Sequence, residues 1–258
     1  MKFKNPFKNK IYKDNEVTFY TEIVGLAETF PVVKASQAQP KWWKEAHKHI
    51  NKQKALEGST YIAKCPGIGE LASAGWIIPL WHNITIEHDR SGEIRWDVPE
   101  SFKNNMAQRG YNIHPVEFLP RASRHIPSRP GRVQEVFKFN IPWNFVAPKG
   151  IKMLYIPLSY HENIWYDAAP GILDQEKNND LNINGWLTLP KGQKTTIQAG
   201  TPLAQIIPIT ERKLTHICRD ANELEKDFHL RSELAACSRG RVNIGQWGRI
   251  FRNQFYGK

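Results

Sequence analysis

The stretch from Trp143 to Ile209 constrains the fold more than any other part of the chain. Short runs of β-branched and aromatic residues are interrupted there by Pro-x-Gly or Gly-x-Pro turns, for example at 148–150 and 190–192. Turns that recur about every eight to twelve residues are typical of antiparallel sandwiches and barrels. The sequence therefore predicts a mainly β protein, built as an antiparallel sandwich, a β-clip or a jelly-roll-like domain.

Hydrophobic periodicity and composition divide the chain into three parts. Residues 1–16 form a basic arm, and residues 17–212 form the β domain. A helical insertion near 40–57 opens at a proline, which favours the first turn of a helix. Residues 213–258 form a helical carboxy-terminal appendage, with a helix that Asp220 caps followed by a basic, aromatic tail.

A second informative stretch follows the predicted insertion. Apolar runs occupy 60–68, 72–81, 84–88 and 93–98. The turn sequence Asp89-Arg90-Ser91-Gly92 lies between the last two runs. Turns of this composition join antiparallel strands, so these two runs are predicted to form a β-hairpin.

The chain is basic, with 36 lysines and arginines, 25 acidic residues and a net charge of +11. The basic residues cluster at 2–13, 41–54, 121–132 and 239–258. Such charge attracts nucleic acid or an acidic protein surface, or simply keeps a protein solvated. Because the clusters lie in four separate parts of the sequence, the pattern disfavours a single nucleic-acid groove.

The sequence offers no membrane or disulfide signal. Its apolar run at 74–81 is far shorter than the roughly 20 residues that cross a bilayer, and residues 1–6 lack the apolar segment of a signal peptide. Cys65, Cys218 and Cys237 are odd in number and widely spaced, which indicates reduced thiols and no metal knuckle. We expect a cytoplasmic protein that does not bind membranes.

Five short motifs occur along the chain in a distinctive order. They are Trp42-Trp43-Lys44-Glu45, Lys64-Cys65-Pro66, Ala74-Gly75-Trp76-Ile77-Ile78-Pro79-Leu80-Trp81, Ile141-Pro142-Trp143 and Gly200-Thr201-Pro202-Leu203-Ala204-Gln205-Ile206-Ile207-Pro208. Together they resemble an uncharacterised protein family encoded by large tailed phages, notably those of cyanobacteria and other marine bacteria. The resemblance covers about residues 40–212 and implies a phage origin, with residence in the host cytoplasm during infection or in the virion. It implies no activity.

Residues 169–174 read Ala169-Pro170-Gly171-Ile172-Leu173-Asp174, and the second segment is 200–207. These two segments resemble the β-fold of dUTPases and dCTP deaminases. In that family an aspartate of the first segment contacts the deoxyribose, which places this role on Asp174, and Gln205 belongs to the second segment. The aromatic residue and Gly-Glu pair that should follow are replaced by 175–180, and the Arg-Ser-Gly phosphate motif is absent. The resemblance therefore implies a fold and argues against retained nucleotide hydrolysis.

Histidines supply the remaining enzyme hypothesis. His82 and His88 are six residues apart on one predicted strand face. His161, with Glu162 or Asp167, would complete a site of two histidines and a carboxylate in a cupin-like enzyme. No His-x-His or His-x-Asp pair brings two ligands close together, so isolated structural histidines are the alternative. The sequence also lacks a Walker A loop, a GxGxxG motif and a Gly-x-Ser-x-Gly elbow, and we predict no cofactor.

Aromatic residues interleaved with basic ones mark the candidate partner-binding positions. Adjacent tryptophans in the predicted insertion point about 100° apart on a helix, so one is expected in the core and one at an interface. Tail aromatics at 247, 251 and 255 form a stripe on one helix face. The stripe would bind a partner, pack on its own domain or stack on single-stranded nucleic acid. The candidate residues are Trp42, Trp43, Trp247, Arg249, Phe251, Arg252, Phe255 and Tyr256.

These observations favour a non-enzymatic phage protein that acts by binding other proteins, as a virion structural or assembly component. Its partners would be other phage proteins or copies of itself, and its basic clusters would suit an acidic protein surface or nucleic acid. One alternative is a β-clip or cupin-like enzyme acting on a nucleotide or a small metabolite. The other is a nucleic-acid-binding protein of infection.

Overall fold

A computed structural model of the chain describes residues 12–52, 62–109, 115–119, 125–126, 130–162, 165–175 and 179–227. Within these ranges the strands are β1 (Glu16–Thr21), β2 (Val33–Lys34), β3 (Trp76–Pro79), β4 (Ile84–His88), β5 (Ile94–Asp97), β6 (Val116–Leu119), β7 (Val136–Phe139), β8 (Asn144–Val146), β9 (Met153–Ile156), β10 (Tyr166–Ala168), β11 (Gly171–Leu173), β12 (Ile183–Leu187), β13 (Gln193–Ile197), β14 (Pro202–Pro208) and β15 (Thr215–Asp220).

The helices of the described chain are short and lie mostly in its first half. Two single turns of 3-10 helix occupy Ala35–Gln37 and Ile62–Lys64, and residues 223–227 are also helical. The α-helices are α1 (Leu26–Thr29), α2 (Lys41–Lys52), α3 (Pro66–Ser73) and α4 (Glu100–Gln108).

The strands pair into four sheets, with the orders β15-β1-β8, β10-β12-β7-β6, β11-β9-β14-β3-β2 and β13-β4-β5. Among the described strands all pairings are antiparallel except one, because β1 and β15 run parallel in the register Glu16 to Thr215. The predicted mainly β, antiparallel fold is confirmed, and the structure is consistent with a β-sandwich. The parallel pair closes the fold by placing the first described strand beside the last.

One continuous cluster of buried side chains joins the four sheets. Trp143, Phe137 and Phe145 are among its fully buried members, and Ile78 and Ile86 extend it into the other sheets. Burial of each large apolar side chain contributes roughly 1.5–3 kcal/mol. The runs that identified strands in the sequence therefore also supply the core.

The predicted hairpin is confirmed. β4 and β5 pair in the register His88 to Ile94. Asp89 closes the turn, because its Oδ1 accepts the backbone N–H groups of Gly92 and Glu93 at 2.9 Å each. This is the local bonding that favours aspartate at the start of a turn.

Two of the five motifs that carry the phage resemblance, at 74–81 and 200–208, meet between β3 and β14. Gly75 has φ +65°, and a Cβ there would lie 2.0 Å from the carbonyl oxygen of Ile206. The side-chain amide of Gln205 donates to the carbonyls of Leu71 and Ala74 at 2.7 and 2.6 Å. Glycine lets β3 approach β14, and the glutamine holds the end of α3 against the sheet. These motif residues are structural.

The β domain extends beyond the predicted end at residue 212, because β15 pairs with β1. Asp220 is the last residue of β15 and does not cap the helix that follows. Asn222 does so: its Oδ1 accepts the N–H of Glu225 at 3.0 Å, and the Glu225 carboxylate accepts the N–H of Asn222 at 2.9 Å. This reciprocal pair is a capping box. Residues 228–258, the rest of the predicted appendage, lie outside the described residues.

Two other segments of the predicted β domain are helical in their described parts. The apolar run at 60–68 is not a strand in its described part, since it contains a 3-10 turn and the start of α3, with Pro66 in the first turn of that helix. Proline is tolerated there because the first N–H groups of a helix have no partner within it. The predicted insertion is observed as α2, and residues 53–61 lie outside the described chain.

Candidate functional site: an aromatic cleft between two helices

An open cleft of about 670 Å³ lies between α1 and α4. Its lining combines α1 and the turn before it, the segment between β3 and β4, α4 with its flanking residues, and Ala199. Volumes of roughly 300–1,000 Å³ are typical of ligand-binding sites. The cleft has a volume in this range and combines apolar with polar lining groups, so it is the candidate functional site.

One wall of the cleft is formed by two adjacent rows of side chains on α4. Phe102 and Met106 are four residues apart and form an apolar row. Ser101, Asn105 and Arg109 have the same spacing and form a polar row beside it. The Phe102 ring packs edge-on against Trp81 at a centroid distance of 5.0 Å, which fixes the apolar row on the core. A ligand in the cleft would therefore meet apolar and hydrogen-bonding groups side by side.

The opposite wall is α1 and the turn that leads into it. Gly25 begins this helix with φ +82°, and its carbonyl accepts the hydroxyl of Thr29 at 2.7 Å. Val24 is 60 % exposed at the edge of the cleft. The Arg109 guanidinium donates to the Val24 carbonyl at 3.4 Å, which links the end of α4 to this turn. This long bond joins the two walls at the surface.

The floor of the cleft is rigidly held. Asn83 accepts the backbone N–H of Ala199 through its side-chain oxygen at 2.8 Å. Trp81 donates its indole N–H to the carbonyl of Asn140 at 3.1 Å. Because both floor residues are tied to distant parts of the chain, the cleft is a preformed feature of the sandwich and not a gap between loose loops.

The cleft contains one anionic and one cationic side chain, Glu28 and Arg109. Neither has an ion-pair partner among the residues that the structure describes. The described lining contains no histidine or cysteine, and Glu28 is its single carboxylate. This arrangement can bind an apolar group and orient flanking polar groups.

The three histidines of the metal hypothesis are structural and separate. His82 is 3 % exposed, lies between Trp81 and Phe102, and contacts the Asn83 carbonyl through Nδ1 at 2.9 Å. Burial lowers the pKa of His82. His88 contacts the Leu189 carbonyl through Nδ1 at 2.7 Å. In both rings, therefore, Nδ1 is engaged by a backbone carbonyl of the protein itself.

His161 lies elsewhere, in a small cavity lined also by Trp43 and Gln205, and burial lowers its pKa. Asp167, a proposed carboxylate partner, instead binds the Arg132 guanidinium. No group of three or more histidine, cysteine or acidic side chains that could hold a metal occurs among the described residues. The structure does not bring the predicted metal ligands together.

The two nucleotide candidates do not share either of the two described cavities. Asp174 follows β11, and its carboxylate lies 4.0 Å from the ammonium group of Lys152. Gln205 is buried, and both hydrogen bonds that its side-chain amide donates go to the end of α3. Asp174 does not line the cleft or the small cavity beside Gln205. At the two positions marked by the resemblance to dUTPases, Asp174 therefore follows the edge strand β11, and Gln205 has a structural role.

The two tryptophans of α2 have different environments, as their angular separation predicted. Trp43 is 2 % exposed, so the protein's own core covers it and no partner can bind it. Trp42 is half-buried, and its indole N–H donates to the Tyr160 carbonyl at 2.7 Å. The remaining partner-binding candidates, Trp247, Arg249, Phe251, Arg252, Phe255 and Tyr256, lie outside the described residues.

No sequence pattern predicted the cleft. The clearest sequence signal for it lies on α4. Pro99-Glu100 is followed there by one apolar row and one polar row of residues, each at four-residue spacing. The other lining segments lie at 23–30, 81–83 and 199. These positions become neighbours only through the packing of α1 and α4 on the sheets, which no local pattern encodes.

The described chain contains no helix with the length and apolar character needed to span a bilayer. Comparison with known proteins found no matching protein-family model, no matching curated protein and no matching solved structure.

Proposed function

We propose that this chain is a phage-encoded, non-enzymatic protein that works by binding another protein chain through the cleft between α1 and α4. The observation that carries the proposal is the cleft itself: a preformed, aromatic-lined space of about 670 Å³ that is open at the surface. The resemblance of residues 40–212 to a family of large tailed phages supports the phage origin. A virion structural or assembly component fits both.

The cleft suits an apolar anchor residue of a partner. Phe102, Trp81 and Met106 supply wide apolar contact, and such contacts dominate the energy of protein interfaces. Ser101 and Asn105 lie beside them and would bond the polar backbone around an inserted side chain. We therefore expect the occupant to be a short segment with a large aliphatic or aromatic residue.

Selection of random displayed peptides on the immobilised protein tests this expectation. Enriched peptides should share an aromatic or branched aliphatic anchor. Met106→Glu places a carboxylate in the apolar row and should weaken their binding at least about tenfold, since desolvating a charge offsets the apolar gain. Fluorescence anisotropy with a labelled peptide measures the change.

Ile172→Glu is the matched control, because Ile172 is 61 % exposed on β11 and lies outside the cleft. It introduces the same charge at an exposed apolar position and should change peptide affinity less than about twofold. The proposal fails if no peptide is enriched, or if both variants weaken binding equally.

The virion assignment is tested separately. Quantitative mass spectrometry of purified virions should find the chain at a fixed ratio to the major capsid protein. Its absence from virions would leave the cleft a binding site but exclude a structural role in the particle.

A further inference from the structure

Two opposite charges line the cleft, and the described chain compensates neither of them. The Glu28 carboxylate belongs to α1, and the Arg109 guanidinium belongs to the residue that ends α4. Both side chains are exposed, and no ion pair joins either one to another described residue. Exposed charges add little to the stability of a fold, whereas charges at a binding site determine which partners are accepted. This pair therefore bears on the choice of ligand.

The two charges lie at different places along the cleft. Arg109 donates to the Val24 carbonyl at 3.4 Å, which places its guanidinium beside the turn that precedes α1. Glu28 lies four residues beyond Val24, on the helix itself. The two side chains do not pair with each other across the cleft. A complementary ligand therefore presents a negative charge at one point and a positive charge at another.

The polar row of α4 sets the spacing between the cation and the apolar contacts. Ser101, Asn105 and Arg109 are exposed. Phe102 and Met106, in the row beside them, are half-buried. At 1.5 Å per residue, Arg109 lies about 4.5 Å along the helix axis from Met106 and about 10.5 Å from Phe102. Because an extended peptide advances about 3.3 Å per residue, a carboxylate one to three residues from an apolar anchor reaches the guanidinium.

We infer that the cleft selects a peptide segment that combines a large apolar residue with one acidic and one basic residue. The acidic residue binds Arg109, the basic residue binds Glu28, and the apolar residue packs on Phe102 and Met106. This selectivity rests on the proposed function of the cleft. It adds the charge of the partner segment and the spacing of its acidic residue from the anchor.

The same two charges disfavour the other ligands that a basic protein attracts. A nucleic-acid strand or a wholly acidic peptide would bring further negative charge to the Glu28 carboxylate, and like charges placed together oppose binding. A hydrocarbon chain would match the apolar row and neither charge. A segment that carries both charges complements the whole lining.

Peptide selection and two charge reversals test this selectivity. Peptides enriched on the wild-type protein should carry an acidic residue one to three positions from the anchor, and also a basic residue. Arg109→Glu and Glu28→Lys should each weaken the binding of such a peptide about three- to tenfold, because an exposed attraction becomes a repulsion. Both effects should shrink as salt is raised to about 0.5 M, since exposed charges are then screened.

Reversing the charge on the peptide provides the matched comparison. A peptide whose acidic residue is replaced by lysine should bind Arg109→Glu within about twofold of the original complex, and should bind the wild-type protein more weakly. Unchanged urea midpoints would verify that the variants remain folded. Glu70→Lys and Arg90→Glu are the controls, because they reverse the same charges at exposed positions outside the cleft. They should change affinity less than about twofold.

The results separate the charge requirement from cleft binding itself. Enriched peptides that share an anchor but no charged position, with affinity unchanged by Arg109→Glu and Glu28→Lys, would overturn the charge requirement and leave the proposed function intact. No enriched peptide, or binding that Met106→Glu does not weaken, would overturn both. Tighter binding of polyglutamate or of an oligonucleotide, abolished by Met106→Glu, would overturn the charge requirement in favour of a polyanion.

Discussion

Three glycine-to-alanine substitutions separate the two reasons for glycine in this fold. Gly67 lies in α3, and no neighbouring element comes within 4 Å of the position of a Cβ there. Gly25 has φ +82°, again with no atom within 4 Å of that position. Gly75 combines φ +65° with a carbonyl oxygen 2.0 Å from that position. The three sites therefore present no constraint, a backbone constraint alone, and a backbone constraint with a steric one.

The expected changes in the free energy of unfolding follow in order. Gly67→Ala should stabilise the protein by about 0.5–1 kcal/mol, because alanine restricts the unfolded chain and favours helix. Gly25→Ala should destabilise it by about 1–2 kcal/mol, the cost of a left-handed conformation for an L-residue. Gly75→Ala adds overpacking of roughly 1–3 kcal/mol against β14. Its total cost should be about 2–5 kcal/mol.

Urea denaturation followed by tryptophan fluorescence measures all three variants, since the chain contains nine tryptophans. If the slope of the free energy of unfolding against urea concentration is unchanged and only the urea midpoint shifts, the variants differ in stability. Equal costs for Gly25→Ala and Gly75→Ala would refute the reasoning, because the contact between β3 and β14 would then contribute nothing. Destabilisation by Gly67→Ala would show that the helix packs more tightly than its surroundings indicate.

Two further predictions concern titratable groups. Burial lowers the pKa values of His82, His161 and His216 below the ordinary value of 6.5, so the unfolded chain binds more protons on acidification and stability falls as pH drops below about 6.5. The melting temperature of His82→Gln should change less than that of the wild type between about pH 7.5 and 5.5, and an identical pH dependence would contradict this. Glu225→Gln should cost about 2–4 kcal/mol in urea denaturation because it leaves Arg219 without the buried carboxylate that accepts both terminal nitrogens of its guanidinium at 2.7 Å. Neutralising the exposed 223–226 ion pair should cost under about 0.5 kcal/mol, and equal costs would mean that the buried carboxylate has no special role.

The sequence predicted those parts of the fold that depend on local rules. The hairpin turn at Asp89 follows from side-chain bonding within four residues, and the turns ending at Gly150 and Gly192 follow from their positive φ angles. Strands β9 and β12 lie within the predicted runs because their alternation matches the pleat, and β14 lies within a mostly apolar run whose residues 203–206 are all buried. Local chemistry was sufficient in each case.

The remaining elements depend on partners far away in sequence. β15 carries no strong strand pattern of its own, and pairing with β1 fixes its conformation. β10 is only three residues long, too short for a periodicity to be recognised. Gln205 resembled a ligand-binding residue because a buried polar side chain at a motif position has the same appearance in sequence whether it bonds a ligand or the end of a helix.

The pairing of β1 with β15 also sets the order of events during synthesis. β1 is made first, but its neighbours β8 and β15 begin only at Asn144 and Thr215. At about 5–20 residues per second, the ribosome needs roughly 10–40 s to deliver the second neighbour. During that interval β1 has an unpaired backbone edge, which is prone to intermolecular pairing. The sandwich can therefore close only after nearly the whole domain has emerged, and a product that stops before residue 215 would leave this edge open.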